Sequence, residues 1–195
     1  MAYRRSVPLQ RWLVDRRAVL AALESVHATA GRAVRGPLAQ AYVLRMSAEF
    51  QGFARELHDL ATEILVKRSG ARPGLWSGLT VAATAGRALD RGNADLRALQ
   101  ADFRRLGLVS LNDAVGLMQP RWSHHDRKRY GELLELRNCL AHSNTRQLAE
   151  LHDRGLVDTL VWARDCLPVL DRMAEALDRV LWEHLDQQVG PDPWR

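Results

Sequence analysis

The sequence predicts an all-α protein, organised as a bundle of four long helices with an insertion of short helices. Four stretches of the 195-residue chain place apolar residues in steps of three and four, the spacing that forms the buried face of a helix. No stretch shows a convincing alternation of apolar and polar residues, which a half-buried strand requires. The length suits one domain of moderate size, and we expect a single domain over residues 1–195.

The first two helices are expected at residues 9–35 and 38–68. We place the break between them at Gly36-Pro37, because proline removes a backbone donor and clashes with the preceding turn. The second helix has the clearest pattern in the chain, a narrow apolar seam formed by Val43, Met46, Phe50, Phe53, Leu57, Leu60 and Ile64. A seam of this length must be covered by another helix, either from this chain or from a second copy.

Residues 75–122 are expected to form an insertion or elaboration beside the main helices, because glycines and prolines interrupt its helical pattern. Its best-defined pieces are Asp95–Leu106 and a short turn over residues 110–117. This segment is a place where specificity could be determined. A second irregular stretch, residues 144–155, is expected to be a loop with at most one helical turn at residues 146–152.

A last long helix is predicted over residues 156–188, where apolar residues again recur in steps of three and four. Pro168 lies inside this stretch, and we expect it to kink the helix or split it in two. Gly190-Pro191 ends the pattern, so the tail of residues 189–195 is expected to be flexible.

The third long helix lies within Tyr130–Asn144 and carries polar residues where core residues are expected. Arg137 has apolar neighbours at three and four positions on either side, and a buried guanidinium without a partner is very costly. Asn138 and His142 are four residues apart and share one helical face. The dipeptide Ser143-Asn144 provides a helix end. An arginine, an amide and an imidazole therefore gather at the C-terminal end of one helix.

Structural interpretations compete with a functional one for these residues. Asn138 and His142 could bond the free carbonyls of the helix end, while Arg137 pairs with an acidic residue of the next helix. Glu49, at the margin of the seam in the second helix, could pair with Arg45 or could face the polar cluster. The pairing with Arg45 is the simpler interpretation, because the two residues are four apart.

Composition narrows the classes of function without selecting one. A net charge of +5 and a pI near 9.8 permit nucleic-acid binding, although many basic proteins bind none. Cys139 and Cys166 are too few for a disulfide framework or a zinc site, and Cys139 is expected to be a small buried hydrophobe. The N-terminus lacks the apolar run of a secretory signal, and no apolar stretch is long enough to span a membrane. A cytosolic protein without a metal or cofactor is expected.

The string R-N-C-L-A-H from Arg137 to His142 fits the R-x4-H motif of the HEPN superfamily, in its common R-N-x-x-x-H form. Residues 41–65, AYVLRMSAEFQGFARELHDLATEIL, resemble the second helix of RNase-toxin-like members, particularly the RiboL-PSP-HEPN proteins, and residues 156–185 resemble their final helix. The resemblance covers most of the chain. It implies a four- to five-helix bundle that dimerises, and two motifs that share one cleft.

The resemblance also implies an activity, a metal-independent endoribonuclease in which the 2′-hydroxyl of RNA attacks the adjacent phosphate. His142 would be the general acid or base. Arg137 would hold the phosphate, Asn138 would orient the histidine or the phosphate, and Glu49 would support them from the neighbouring helix. The implied setting is a toxin or defence effector with RNA as substrate, a homodimeric form, and a possible separate antitoxin or regulatory protein.

Two alternatives stay open beside this activity. The first is a non-catalytic HEPN module that binds RNA, nucleotide or a partner protein, and the second is a helical scaffold with an incidental motif. Some toxins of the superfamily carry a tyrosine two residues after the histidine, which an antitoxin adenylylates. Asn144 stands at that position here, so regulation of that kind is not expected.

The spacing within the motif raises a geometric question. Arg137 and His142 are five residues apart, which is about 140° around an ideal helix, so they do not share a face. The helix could end near Ala141 and release His142, or residues from two subunits could complete one site. Both solutions fit a dimer cleft better than a pocket within one subunit.

Overall fold

The computed structural model describes residues 3–118 and 124–194, and all regular structure in this part of the chain is helical. The prediction of an all-α fold is confirmed. In chain order the elements are α1 (Val7–Arg11), a π-helical turn (Trp12–Arg16), α2 (Arg17–Thr29), α3 (Arg32–Arg68), a 3-10 turn (Pro73–Leu75), α4 (Trp76–Thr84), a second 3-10 turn (Ala88–Asp90), α5 (Leu96–Arg104), α6 (Leu111–Met118), α7 (His124–Ala141), α8 (Thr145–Asp153) and α9 (Leu160–Val189). Within these described residues, no helix combines the length and the apolar character needed to cross a membrane.

The break after the first helical region lies earlier than predicted. α2 ends at Thr29, and α3 begins at Arg32 and continues through Pro37. The predicted break at Gly36-Pro37 is wrong because this exposed proline removes a single backbone bond near one helix end. The rest of α3, which is 37 residues long, is held in place by its buried face.

α3 is the central helix of the bundle. It lies along α9, and α7 packs against both of them. The contact is built from aromatic rings: Phe50 of α3 meets Trp12 edge-on, with ring centroids 5.5 Å apart, and meets Tyr130 of α7 at 5.8 Å. The Trp12 indole N–H also donates to Asp171 Oδ1 of α9 at 2.9 Å. Burying these rings fixes α7, the helix that carries the polar cluster, against the longest helices of the fold.

The predicted insertion contributes to the core. α5 packs on α6, and α6 packs on α9. Leu99, Phe103, Leu111 and Val115 are fully or almost fully buried in the same apolar cluster as the long helices. The short helices lie close to their predicted positions, whereas residues 119–122 of the predicted insertion lie outside the described residues. The short helices therefore share one apolar core with α7.

The sequence predicts that Pro168 kinks the last helix or splits it in two. α9 is one continuous helix that passes through Pro168, so it is not split there. Leu167 and Leu170 are buried on either side of the proline, and their packing offsets the backbone bond that proline cannot make. α9 begins later than predicted, because the Thr159 side chain caps it by accepting from the Trp162 N–H at 3.3 Å. Trp194 in the tail packs against the core, and the flexibility of residues 189–195 stays a prediction.

Candidate functional site

The C-terminal end of α7 is closed by its own backbone. Ser143 adopts a left-handed conformation, with φ of 50°, and its N–H donates to the Leu140 carbonyl at 3.3 Å. The Asn144 N–H donates to the Cys139 carbonyl at 2.9 Å, which completes a Schellman motif. The Asn144 side chain then caps α8 by accepting from the Gln147 N–H at 3.1 Å. The predicted helix end is confirmed, and α8 starts immediately, where at most one turn was expected.

His142 stands at the last position of this helix end and is exposed to solvent. Its backbone N–H donates to the Asn138 carbonyl at 3.1 Å, which continues the helical bonding. Its imidazole makes no hydrogen bond to any of residues 3–118 or 124–194. The side chain is therefore free to meet a ligand from solvent, and it takes no part in capping α7.

Arg137 and Asn138 are half-buried and bonded to each other. The Arg137 Nη1 donates to the Asn138 Oδ1 at 3.2 Å. Among the described ion pairs none includes Arg137, so its charge is not compensated by a carboxylate within the described chain. The structural interpretation of the cluster, in which Arg137 pairs with an acid and the other two residues cap the helix, does not match these contacts.

A residue that the sequence pattern did not identify, Asn93, completes the cluster. Its Nδ2 donates to the same Asn138 Oδ1 at 2.6 Å. That oxygen thus accepts from both Asn93 and Arg137, which fixes the orientation of the Asn138 amide. Within the described residues, Asn138 Oδ1 is thus the point where the loop before α5 and Arg137 meet. The nearest signal in the sequence is the Gly92-Asn93 dipeptide, which marks a turn but names no partner.

Asn93 is held in place because the chain is anchored on both sides of it. The Tyr130 hydroxyl of α7 donates to the Ala94 carbonyl next to Asn93. Asp102 of α5, which is buried, accepts from the N–H groups of Ala88 and Leu89 at 2.9 and 2.8 Å. A carboxylate that binds two backbone donors rigidifies the turn they belong to. The loop therefore presents Asn93 to α7 as a fixed support.

A buried polar cluster beneath this loop adds to the anchoring. His58 of α3 is fully buried, and its Nε2 donates to the Asp102 carbonyl at 3.1 Å. Its Nδ1 accepts from the Arg87 guanidinium at 3.3 Å, so the ring is neutral in this arrangement. Burial and the neighbouring Arg87 charge lower the pKa of His58 below its usual value. The sequence pattern indicated only an ordinary helical face at this position.

Glu49 is placed in a different contact from the one that the resemblance implies. One carboxylate oxygen accepts from Arg16, and the other lies 2.5 Å from the Arg45 Nη2. The interpretation as a carboxylate paired with Arg45 is confirmed. Arg16 reaches Glu49 across the surface of Gly52, where a Cβ would lie only 2.7 Å from the Arg16 Nη1. Both Glu49 oxygens are thus already engaged within the chain.

Cys139 is buried on the core side of α7, as expected for a small apolar residue. Burial, with a smaller effect of Glu135, raises the pKa of its thiol. Thiolate chemistry is therefore disfavoured at this position. The part of the chain that the structure describes brings together no three His, Cys, Asp or Glu side chains in an arrangement suited to a metal ion.

Chemically, the end of α7 offers a cationic fork, an oriented amide and a solvent-exposed imidazole. A guanidinium binds the oxygens of a phosphate or carboxylate in two parallel bonds, and an imidazole transfers protons near neutral pH. Arg137 and His142 are separated by about 7.5 Å along the helix axis, in addition to their different faces. No protein-family model, curated protein or solved structure matches this chain.

Proposed function

We propose that this protein is a metal-independent endoribonuclease of the HEPN type, which cleaves RNA as a toxin or defence effector. The observation that carries the proposal is that neither the Arg137 charge nor the His142 imidazole serves a described ion pair or helix cap. Backbone N–H groups cap α7, Arg137 meets no carboxylate of the described chain, and the His142 imidazole has no described partner. A guanidinium that meets no described carboxylate, placed at a half-buried helix end near an imidazole without a described partner, favours a binding or catalytic site.

In the proposed reaction, the 2′-hydroxyl of one nucleotide attacks the neighbouring phosphate. A neutral His142 accepts the proton of the 2′-hydroxyl, and the new P–O2′ bond forms while the P–O5′ bond breaks. The 5′-oxygen takes up a proton as it leaves, from the protonated imidazole of the partner subunit's His142. The products are a 2′,3′-cyclic phosphate on one fragment and a 5′-hydroxyl on the other.

Arg137 stabilises the charge that develops on the phosphate oxygens during this step. Its guanidinium is held by Asn138, which is itself held by Asn93, so its orientation is set before the substrate binds. Preorganised donors are effective because they need no rearrangement as the charge develops. Asn138 is thus a positioning residue for Arg137, and its free amide N–H groups are available to a phosphate oxygen.

A homodimer gives the site its second proton-transfer group. One imidazole cannot serve as base and acid in the same step without an exchange of protons, whereas two copies of His142 in one cleft could divide these functions. The separation of Arg137 and His142 around α7 also favours a composite site, in which one subunit supplies the arginine opposite the histidine of the other. The role of Glu49 stays a prediction, because its carboxylate is bound by Arg16 and Arg45 within one chain.

Cleavage of RNA in the presence of EDTA tests the proposal. We expect the wild type to cut single-stranded RNA and leave cyclic-phosphate ends, and we expect His142→Ala and Arg137→Ala to lose at least about a hundredfold in rate. His124→Ala, an exposed histidine in the first turn of the same helix, is the matched control and should cut normally. Intact RNA with every substrate, or normal cutting by His142→Ala, would refute the catalytic proposal.

A second measurement addresses the dimer. Sedimentation at micromolar concentration should give a particle of twice the 22.0 kDa chain mass. A single monomeric species over this range would contradict the composite site. Tight RNA binding without any cleavage would instead favour the non-catalytic HEPN module.

A further inference from the structure

Two adjoining cavities lie on the outer side of α7, between this helix and the segment that joins α8 to α9. Their volumes are about 330 and 380 Å³, and both are lined by Lys128, Glu132, Arg154 and Leu156. Because they share these residues, they form one elongated depression, which we call the α7 groove. Its volume is in the range of sites that hold a small organic ligand or one nucleotide unit.

The far wall of the groove is built by the end of α8. Gly155 adopts a left-handed conformation with φ of 80°, which favours glycine. The Leu156 N–H donates to the Leu151 carbonyl at 3.0 Å and closes a second Schellman motif. Both leucines are buried, so the turn is anchored in the core. Arg154, immediately before the glycine, is thereby held opposite α7, where it pairs with Glu135 at 2.7 Å.

The charges that line the groove are predominantly positive. Arg127, Lys128, Arg129 and Arg154 line it, against only two carboxylates. Arg127 and Arg129 form no ion pair with any described residue, and the Arg129 guanidinium rests over the Trp162 ring at 5.4 Å. Lys128 lies 3.7 Å from Glu132 in an exposed pair. Exposed pairs of this kind contribute little free energy, so an incoming phosphate can displace them.

The α7 groove leads toward the helix end that carries the motif. Arg127, Gly131, Asn138 and His142 project from one face of α7, because their spacings of four, seven and four residues match helical turns. Gly131 has no side chain, and a methyl group added to its Cα would meet nothing within 4 Å, so the surface stays open at that point. With a rise of 1.5 Å per residue, His142 lies about 16.5 Å along the axis from Gly131. A flexible polyanion can follow this face from the groove to the imidazole.

We propose that the α7 groove binds the sugar–phosphate backbone of single-stranded RNA on one side of the phosphate that is cleaved. This inference rests on the proposed ribonuclease function and adds the region that holds the substrate. An elongated cationic groove suits a chain of phosphates better than one small anion, because several charges act together along its length. Binding depends on phosphates and not on base edges, so it has little sequence preference.

The test compares two charge-matched double variants. Arg127→Gln with Lys128→Gln removes one arginine and one lysine from the groove. Lys67→Gln with Arg72→Gln removes the same two residue types at the far end of α3. The match is close, because Lys67 and Lys128 are the only lysines in the chain and each lies in an exposed pair with a glutamate four residues away.

Binding is measured by fluorescence anisotropy with a labelled single-stranded RNA of about 12 nucleotides, in a His142→Ala background that prevents cutting. We expect the groove variant to bind about tenfold more weakly at low salt. The slope of log affinity against log salt concentration should also be smaller in magnitude by about 1.4, which is about 0.7 for each of the two lost phosphate contacts. The control variant should stay within about twofold of the parent.

Equal affinity and salt dependence in the groove and control variants would overturn the proposal. Displacement of the RNA by polyglutamate as readily as by unlabelled RNA would also overturn it, in favour of an acidic protein partner. Because the readout is binding, it separates the two proposals. A wild type that cuts no RNA refutes the nuclease, whereas a selective loss of binding in the groove variant still supports the groove.

Discussion

Replacing Asn93 by alanine tests whether the loop before α5 sets up the site on α7. The substitution removes the 2.6 Å hydrogen bond to the Asn138 Oδ1 and leaves the 3.2 Å bond from Arg137 as the only described contact of that oxygen. A hydrogen bond between neutral groups contributes about 0.5 to 1.5 kcal/mol. If this free energy serves to orient Arg137 in the transition state, kcat should fall by about 2- to 13-fold.

The assay is the single-turnover rate of RNA cleavage, measured beside thermal unfolding. Asn112→Ala changes an exposed asparagine of α6 and is the matched control, so its rate should equal that of the wild type. The decisive comparison is the double variant with Asn138→Ala. If Asn93 acts through Asn138, the double variant should be no slower than Asn138→Ala alone. Losses that multiply in the double variant would refute this route of action.

Three further predictions concern stability and do not depend on the proposed activity. Glu49→Gln should lower the free energy of unfolding in urea by about 2 kcal/mol, because it removes the buried anion that Arg16 and Arg45 share, while Arg16 keeps its pair with Glu56 at 2.7 Å. Glu63→Gln in an exposed pair should lower it by less than about 1 kcal/mol. The pKa of His58 is lowered in the fold, so its contribution to stability is complete above about pH 6.5 and declines as the pH falls below that value. The free energy of unfolding in urea should therefore fall more steeply between about pH 7 and pH 5 for the wild type than for His58→Gln. An equal fall in the two proteins would contradict the lowered pKa of His58. Ser143→Gly should raise the melting temperature by a few degrees, since glycine adopts the left-handed conformation without strain, and a lower melting temperature would contradict the described turn.

The sequence predicted those features that depend on neighbouring residues. Apolar spacing located α3, α7 and α9, and the dipeptide Ser143-Asn144 located the end of α7. The pairing of Glu49 with Arg45 was also predictable, because residues four apart meet on a helix surface. Each of these features is fixed within a few turns of one helix.

Features that depend on distant residues or on irregular turns were not predictable. Asn93 bonds to a residue 45 positions away through a loop that carries no periodic signal. Arg16 reaches Glu49 because a π-helical turn precedes α2, and such a turn shifts every following side chain relative to a regular helix. The burial of His58 also depends on distant residues, because its partners come from the loop that precedes α5 and from α5 itself. In these cases tertiary packing determines which residues meet, and the pattern of residues along one sequence carries no information about that packing.

The corner between α7 and α8 has no spare residue. The Asn144 backbone closes α7 and its side chain caps α8, so no linker residue separates the two helix ends beyond the turn itself. One inserted residue would turn α8 by about 100° about its axis and carry Arg154 away from Glu135. An insertion between Ala141 and Thr145 would therefore break either the closing bonds of α7 or the cap of α8. The short connection between α7 and α8 is thus a mechanical requirement of the fold.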